Sequence, residues 1–310
     1  MKRIAVIGGG TMGFGLAFRF AVHGREVALV SRRTSTLENA LQQIREAAAS
    51  FEAEGVISKQ EAEDVRTRIH PTTDLAAGIE NAAWVIEAIP EQLSQKQALF
   101  AELDAQLPAQ TLLTTTTSSL PISDIANGVQ HPERTMVTHF VNPPHLIPLV
   151  EIVQHPATLE ENIEAVEREL NDIHCTPVRL NKEAPGFIAN RLQAALFREV
   201  LNLLQQGIAS PEAIDTAVKQ GLGFRWAVVG PIETADFGGL DTWAMAGAYL
   251  APHLANTIPV DYIQAKFRAG ELGVKTGKGF YSYEGVDTVA LTARRDRQML
   301  RLGKLKQEFT

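Results

Sequence analysis

A turn of regularly spaced glycines between a strand and a helix restricts the fold of this chain more than any other feature. Residues 4–7 predict a short buried strand, the turn Gly8-x-Gly10-x-x-Gly13 follows, and after a helix comes a second strand at residues 26–30. A strand, a crossover helix and a second strand form a parallel pair with a right-handed connection. Such a turn leaves the N–H groups of the helix N-terminus facing a phosphate. We therefore predict an N-terminal doubly wound Rossmann-type sheet that binds a dinucleotide.

Each glycine of the turn has its own predicted role. Gly8 permits the tight turn, Gly10 lets the backbone approach the pyrophosphate, and Gly13 lets the helix pack closely on the sheet. Thr11 and Met12 complete the predicted cofactor-binding turn. The alternative is a glycine-rich turn without a ligand, which the strand before it and the helix after it disfavour.

The end of the second strand bears on the choice of cofactor. Chains that bind NAD place Asp or Glu there, to hydrogen-bond the ribose 2′-hydroxyl. This chain has Ser31-Arg32-Arg33 instead, and guanidinium groups suit a 2′-phosphate because they bind it in bidentate geometry. The hypothesis is that NADP(H) is preferred or at least accepted, with NAD as the other candidate. The alternative is that both arginines are solvated surface charges.

The composition disfavours several other classes of protein. A 310-residue chain with 45% hydrophobic and 21% charged residues has the make-up of a globular protein and is long enough for two domains. Its net charge of −7 argues against a nucleic-acid or membrane-surface partner. The single Cys175 excludes an internal disulfide, and no apolar run reaches the length of a membrane span. We expect a cytoplasmic protein with a small-molecule substrate and no metal site.

The pattern of the chain changes near residue 185, from alternating strands and helices to helices alone. Before this point, residues 34–70 predict two helices, the second capped by Ser58, and five further strands are predicted, at residues 83–87, 112–116, 135–139, 149–153 and 176–180. After it, helices are predicted at residues 187–206, 211–220, 231–248, 261–269 and 288–307. We therefore predict an NAD(P)-binding Rossmann-type domain over residues 1–183 and an all-α substrate and dimerisation domain over residues 184–310.

A histidine and a carboxylate interrupt two of the predicted strands. His139 and Glu151 lie twelve residues apart in apolar, β-prone sequence, where a buried charge is costly unless it is paired. A paired carboxylate orients an imidazole ring and stabilises its protonated form, which makes a general base suited to neutral pH. The alternative is a structural core histidine and an edge glutamate, and the pair alone does not decide between them.

Four motifs in order resemble the L-3-hydroxyacyl-CoA dehydrogenase family. They are Thr117-Ser118-Ser119-Leu120, His139-Phe140-Val141-Asn142-Pro143, Leu149-Val150-Glu151 and Pro185-Gly186-Phe187-Ile188-Ala189-Asn190-Arg191-Leu192. The likeness continues through Gly238-Gly239-Leu240-Asp241 to Lys275-Thr276-Gly277-Lys278-Gly279-Phe280-Tyr281. It thus extends over nearly the whole chain.

The resemblance implies a role for each residue of these motifs. His139 would be the general base that takes the hydroxyl proton, and Glu151 would orient it. Ser118 and Asn190 would hydrogen-bond the substrate oxygens. Asn142 would lie near the nicotinamide or the substrate, and Glu91 and Lys96 would line the cofactor site. It also implies a homodimer formed through the helical domain.

Departures from the family pattern leave the substrate open. Residues 223–231, with Arg225 among aromatic residues, resemble the branch that contains λ-crystallin/L-gulonate 3-dehydrogenase, carnitine 3-dehydrogenase and pyridine-carboxylate dehydrogenases. That branch acts on small free acids. Arg225 is then either a carboxylate clamp or an interhelical structural arginine. Residues 275–281, by contrast, resemble the acyl-CoA enzymes.

The leading functional hypothesis is an NAD(P)-dependent dehydrogenase that interconverts 3-hydroxyacyl and 3-oxoacyl substrates, of the 3-hydroxyacyl-CoA dehydrogenase type. A dehydrogenase of a small free 3-hydroxy acid is the alternative. A second enzymatic alternative is a dehydrogenase of the 6-phosphogluconate/3-hydroxyisobutyrate type. What is known of that class implies a catalytic lysine on the first helix of the second domain. No lysine lies between residues 186 and 218, which disfavours this alternative. The intact set of polar motif residues disfavours a non-enzymatic, cofactor-binding structural protein.

Overall fold

The chain divides into two compact units in the computed structural model, which describes residue 1 and residues 3–307. The first, here called the sheet unit, comprises Met1–Ile188 with Ala290–Thr310, and the second, the helical unit, comprises Ala189–Val289. The domain boundaries expected from the sequence, 1–183 and 184–310, stay a prediction. The division by contacts assigns most of the tail to the sheet unit.

The sheet unit is built on eight strands in the order β3-β2-β1-β4-β5-β6-β7-β8. Strands β1 to β6 are parallel, β7 runs antiparallel to β6, and β8 runs parallel to β7. The order reverses between β1 and β4, where a doubly wound sheet binds its ligand. The strands are β1 Arg3–Ile7, β2 Glu26–Val30, β3 Ile69–Thr72, β4 Trp84–Glu87, β5 Leu112–Thr115, β6 Thr135–Phe140, β7 Leu149–Gln154 and β8 Thr176–Arg179. The predicted fold class is confirmed.

Helices cover both faces of this sheet. Alternate residues of each strand point to opposite faces, and because both sets are apolar, both faces must be buried. In β1, Ile4 and Val6 belong to one apolar cluster, whereas Ala5 and Ile7 belong to the other. The first cluster packs on α1, α2 and α7, and the second on α5. The helices are α1 Thr11–Val22, α2 Thr34–Ala53, α3 Lys59–Arg68, α4 Leu75–Ile79, α5 Leu93–Gln106, α6 Ile122–Ile125 and α7 Glu160–Asp172.

Strand β3 was not expected from the sequence. Residues 34–70 contain the two predicted helices, with the capping box at Ser58 and Glu61, but the chain leaves the helical conformation after Arg68. Ile69 is buried, while His70 and Pro71 are exposed at the edge of the sheet. A proline is tolerated in an edge strand because one side of the strand makes no ladder hydrogen bonds. The prediction that residues 69 and 70 are helical is wrong. The strand could not be recognised from the sequence because it lacks the apolar run that is typical of a buried strand.

The helical unit contains six helices of the described chain, and one predicted helix is broken. Residues 231–248 were expected to form one helix, yet Gly239 adopts φ 83° between α11 and α12, a conformation that favours glycine. A π-helical turn, Val218–Leu222, joins α9 to α10. The helices are α8 Ala189–Gln205, α9 Pro211–Ala217, α10 Gly223–Trp226, α11 Pro231–Gly238, α12 Leu240–Leu250 and α13 Val260–Arg268.

The tail helix α14, Thr288–Gln307, has the bounds expected from the sequence. Most of it packs in the sheet unit, where Leu300 joins the first apolar cluster. Arg301 Nε lies 2.7 Å from Oε2 of Glu54, the residue that follows α2. None of the described helices has the length and apolar composition needed to cross a membrane.

Candidate active site

His139 and Glu151 lie directly opposite each other on the antiparallel strands β6 and β7. Directly opposed residues on such a pair share one face of the sheet, so the spacing of twelve residues brings the two side chains together. Nδ1 of His139 lies 2.7 Å from Oε2 of Glu151. His139 is 5% exposed and Glu151 is 1% exposed. The buried carboxyl group therefore has the hydrogen-bonding partner that its burial requires.

The second oxygen of Glu151 is held by the end of the sheet unit. The backbone N–H of Ile188 donates to Oε1 of Glu151 over 2.8 Å, so each carboxylate oxygen has its own partner. The ring of Phe187 lies against the ring of His139, with centroids 5.3 Å apart. Among the described residues, none hydrogen-bonds Nε2 of His139. With Nδ1 protonated and donating to Glu151, Nε2 is the atom that can accept a proton.

Ser118 lies in the loop after β5, which Glu91 organises. One carboxylate oxygen of Glu91 accepts from the backbone N–H of Ser118 over 3.1 Å and from the Ser119 hydroxyl over 3.0 Å. The Thr117 hydroxyl donates to the same oxygen. Burial opposes ionisation of Glu91, but these hydrogen bonds and a nearby ammonium hold its pKa below the ordinary value. Helix α6 begins after Pro121, so Ser118 is not its N-cap.

A buried ion pair lies at the end of β4, and the sequence did not predict it. Nζ of Lys96 is 2.7 Å from Oε1 of Glu87 and 3.3 Å from Oε2 of Glu91, and Lys96 is 1% exposed. The Thr115 hydroxyl donates to the other oxygen of Glu87 over 2.7 Å. Burial raises the pKa of the Glu87 carboxyl, although Lys96 opposes that shift. A glutamate at the end of an apolar strand was the signal for Glu87.

The glycine turn has the geometry expected of a dinucleotide site. Gly8 has φ 120°, and an ideal Cβ there would lie 2.4 Å from the carbonyl oxygen of Ala88. A Cβ on Gly13 would lie 1.7 Å from the carbonyl oxygen of Gly8. No atom lies within 4 Å of the corresponding position at Gly10, which leaves the backbone open to a ligand. Thr11 and Met12 begin α1. Its N-cap is Gly10, so no N-cap side chain occupies the backbone N–H groups at the start of the helix. The turn therefore fits a phosphate.

Ser31 lies beside this turn, and Arg32 and Arg33 follow it in the sequence. A Cβ on Gly9 would lie 3.5 Å from the Cβ of Ser31, and the backbone N–H of Ser31 donates to the carbonyl oxygen of Thr72 over 3.2 Å. Arg32 and Arg33 are exposed. Neither arginine forms an ion pair with a described residue, so both guanidinium groups are available to an anion.

The remaining predicted residues are divided between the two units. Asn142 is exposed in the loop that follows β6. Asn190 is the second residue of α8, and Arg225 is exposed on α10, both in the helical unit. No described carboxylate forms an ion pair with Arg225. The roles expected for these residues stay predictions, as do those of the other site residues.

Known proteins match the chain along its length. The sequence model described as 3-hydroxyacyl-CoA dehydrogenase, NAD binding domain, matches residues 3–184, and the model of the C-terminal domain matches residues 186–283. The chain belongs to the 3-hydroxyacyl-CoA dehydrogenase family. The predicted family is thereby confirmed, and with it an NAD-dependent oxidoreductase with an NAD-binding domain.

Individual relatives within this family carry different names. The 5-formyl-3-hydroxy-2-methylpyridine 4-carboxylate 5-dehydrogenase of Mesorhizobium japonicum is 31% identical over 98% of each chain. A crystal structure of an enzyme so named, described as an NAD+ dependent dismutase, matches with a TM-score of 0.90, 30% identity and coverage of 98% of each chain. The rat λ-crystallin homolog is 37% identical over 74% of this chain and 73% of its own. The probable 3-hydroxybutyryl-CoA dehydrogenase of Bacillus subtilis is 35% identical over 92% of this chain and 98% of its own.

Proposed function

We propose that this family member interconverts a secondary alcohol and a ketone at C3 of an acyl substrate, with His139 as the general base. The observation that carries the proposal is the 2.7 Å contact between His139 and Glu151 on opposed strands. In the oxidative direction, Nε2 of His139 takes the hydroxyl proton, and Glu151 stabilises the imidazolium that forms. The reverse reaction returns this proton to the ketone oxygen.

Hydrogen-bond donors would hold the substrate while the proton moves. We assign this role to Ser118 and Asn190, which steady the developing charge on the substrate oxygens. The loop of Ser118 is fixed by Glu91, since three groups of residues 117–119 donate to one carboxylate oxygen. This arrangement supports a preformed donor at Ser118. A bound nicotinamide dinucleotide supplies the hydride acceptor.

The glycine turn and the residues after β2 are proposed to hold this dinucleotide. Gly8, Gly10 and Gly13, with Thr11 and Met12, would face the pyrophosphate at the N-terminus of α1. Glu91, Lys96 and Asn142 would lie toward the nicotinamide end. NADP(H) is proposed to be accepted, because Ser31 leaves no carboxylate to repel a 2′-phosphate and Arg32 and Arg33 are free to pair with it.

The substrate class has two candidates. Similarity to a probable 3-hydroxybutyryl-CoA dehydrogenase over 98% of that relative's length supports a thioester. Similarity to a pyridine-carboxylate dehydrogenase over 98% of both chains supports a free acid, and Arg225 would then bind the carboxylate.

A homodimer is proposed because large apolar side chains of the helical unit are exposed, among them Phe237 at 84% and Tyr249 at 73%. A cytoplasmic location stays a prediction.

A panel of reductase assays tests the proposal. Acetoacetyl-CoA and a series of free 3-oxo acids would each be combined with NADH and with NADPH, and oxidation of the reduced nicotinamide followed by absorbance. Turnover of the thioester alone would make Arg225 structural, whereas turnover of free acids alone would favour the clamp. Turnover of any of these substrates would exclude a purely structural protein. No turnover of either class would contradict the proposed function.

A further inference from the structure

Helix α1 packs directly on the loop that joins strands β6 and β7. An ideal Cβ on Gly15 would lie 2.7 Å from Cγ of Pro144 and 3.0 Å from Nδ1 of His145, so a glycine is what allows the helix and the loop to touch. The ring of Phe14 lies against the ring of His145, with centroids 5.3 Å apart. The helix that begins at the glycine turn is therefore in contact with residues 141–148.

Arg19, one turn further along α1, attaches this loop by hydrogen bonds. Its Nε donates to the carbonyl oxygen of Pro144 over 2.7 Å, and a terminal nitrogen donates to the carbonyl oxygen of Ile147 over 3.3 Å. Arg19 is 7% exposed, and no described carboxylate forms an ion pair with it. Burial lowers the pKa of this guanidinium, while Cys175 opposes the shift. The two loop carbonyls thus take the place of the usual counter-ion.

The attached loop carries Asn142 and connects the two catalytic strands. Inside it, the backbone N–H groups of Leu146 and Ile147 both donate to the carbonyl oxygen of Pro143 over 3.0 Å, so the segment is tightly turned. A displacement at Pro144 would therefore shift Asn142 on one side and the start of β7 on the other. Because small misplacements of reacting groups cost large factors in rate, the attachment bears on catalysis.

We propose that Arg19 is a positioning residue, which fixes the Asn142 loop and the hairpin of His139 and Glu151 relative to the dinucleotide-binding helix α1. The inference rests on the proposed function for its effect on turnover. It requires no contact between Arg19 and either cofactor or substrate. Arg19 acts through the carbonyl groups of the loop.

The kinetic test compares Arg19→Met with a matched control, Arg25→Met. Arg25 is also partly buried in the sheet unit, with Nε 2.6 Å from Oε1 of Glu169, but it does not hydrogen-bond the loop. We expect Arg19→Met to lower kcat by about 10- to 100-fold while the KM for the dinucleotide changes by less than about threefold. Arg19→Lys, which has one nitrogen for two carbonyls, should give an intermediate kcat. Arg25→Met should lower Tm without lowering kcat.

Hydrogen exchange with and without NAD+ tests the attachment apart from turnover. Arg19→Met should exchange faster over residues 141–149 than the wild type, in both the free and the NAD+-bound protein, while Arg25→Met should not. Should Arg19→Met fail to fold, the same comparison with Arg19→Lys decides. Wild-type kcat together with wild-type exchange in the folded variant would overturn the proposal. An inactive wild-type protein would refute the proposed function, and the exchange result would still decide whether Arg19 positions the loop.

Discussion

Nδ1 of His139 and Oε2 of Glu151 lie 2.7 Å apart across the antiparallel strands β6 and β7. Neither residue depends on a long loop for its position, because each is held within a ladder of backbone hydrogen bonds. The second oxygen of Glu151 is held separately by the backbone N–H of Ile188. The pair is thus fixed before any substrate arrives, as the proposed acid–base role requires.

Replacing Glu151 tests whether this fixation matters for catalysis. Glu151→Gln keeps a hydrogen-bond acceptor for His139 but removes the charge that stabilises the imidazolium. We expect kcat to fall by about 10- to 100-fold, with dinucleotide affinity nearly unchanged. Steady-state kinetics and a binding titration with NAD+ would measure the two effects. A variant that loses cofactor affinity but keeps kcat would assign Glu151 to binding instead.

The choice between cofactors is tested at the end of β2. The double variant Ser31→Asp/Arg32→Ala adds the carboxylate that binds a ribose 2′-hydroxyl and removes one guanidinium. We expect the ratio of kcat/KM for NADPH to that for NADH to fall by at least about tenfold, since a carboxylate repels the 2′-phosphate. The control is Arg66→Ala, which removes one guanidinium group from an exposed position on α3. It shows whether the loss of a surface charge alone changes the ratio. A ratio that does not change would mean that Ser31 and Arg32 do not contact the cofactor.

The ion pair of Lys96 and Glu87 provides a test of stability. Both side chains are almost fully buried, and removing one partner of a buried pair leaves an uncompensated charge. We expect Lys96→Met to destabilise the protein by about 3–5 kcal/mol. The double variant Glu87→Gln/Lys96→Met should be less destabilised than Lys96→Met alone, as measured by thermal unfolding. If the destabilisation of the double variant equals the sum of those measured for Lys96→Met and Glu87→Gln alone, the two residues do not interact in the folded protein.

His145 should make stability depend on pH. Burial lowers the pKa of His145 to about 4 from 6.5, so between these values the unfolded chain binds a proton that the folded chain does not. The contribution of His145 to the free energy of unfolding is fully present above about pH 6.5. It is lost as the pH falls toward about 4, and the total loss is about 3 kcal/mol. His145→Phe should make the dependence of the free energy of unfolding on pH less steep over this range, and His23, whose pKa burial also lowers to about 4, should maintain the rest of it. An equally steep dependence in this variant would assign the slope to other groups.

Much of the fold was predictable because its strands are short apolar runs bounded by turn residues. Strand β2 and helix α14 have the predicted bounds, and the Ser58 cap forms as expected. Edge strand β3 was missed, because its residues 70 and 71 are exposed and one is proline. The break at Gly239 was missed because a single glycine within an otherwise helical pattern does not by itself end a helix.

The candidate site was predictable where polar residues interrupt apolar strands. His139 and Glu151 were identified in this way, and the same signal at Glu87 was overlooked. Arg19 was not identified either, although it interrupts the apolar sequence of α1. Its partners are backbone carbonyls more than a hundred residues away, and a sequence pattern contains no information about such a contact. Tertiary contacts between distant segments therefore explain why the role of Arg19 could not be predicted.

Replacing His139 tests whether its imidazole is the proton acceptor of the reaction. The measurement is kcat of His139→Gln with the best substrate of the panel, beside the Kd for the dinucleotide measured by fluorescence titration. We predict that kcat falls by more than about a hundredfold while the Kd stays within about threefold of the wild type, because the base is lost and the glycine turn is untouched. Turnover close to that of the wild type in a folded variant would remove His139 from the mechanism.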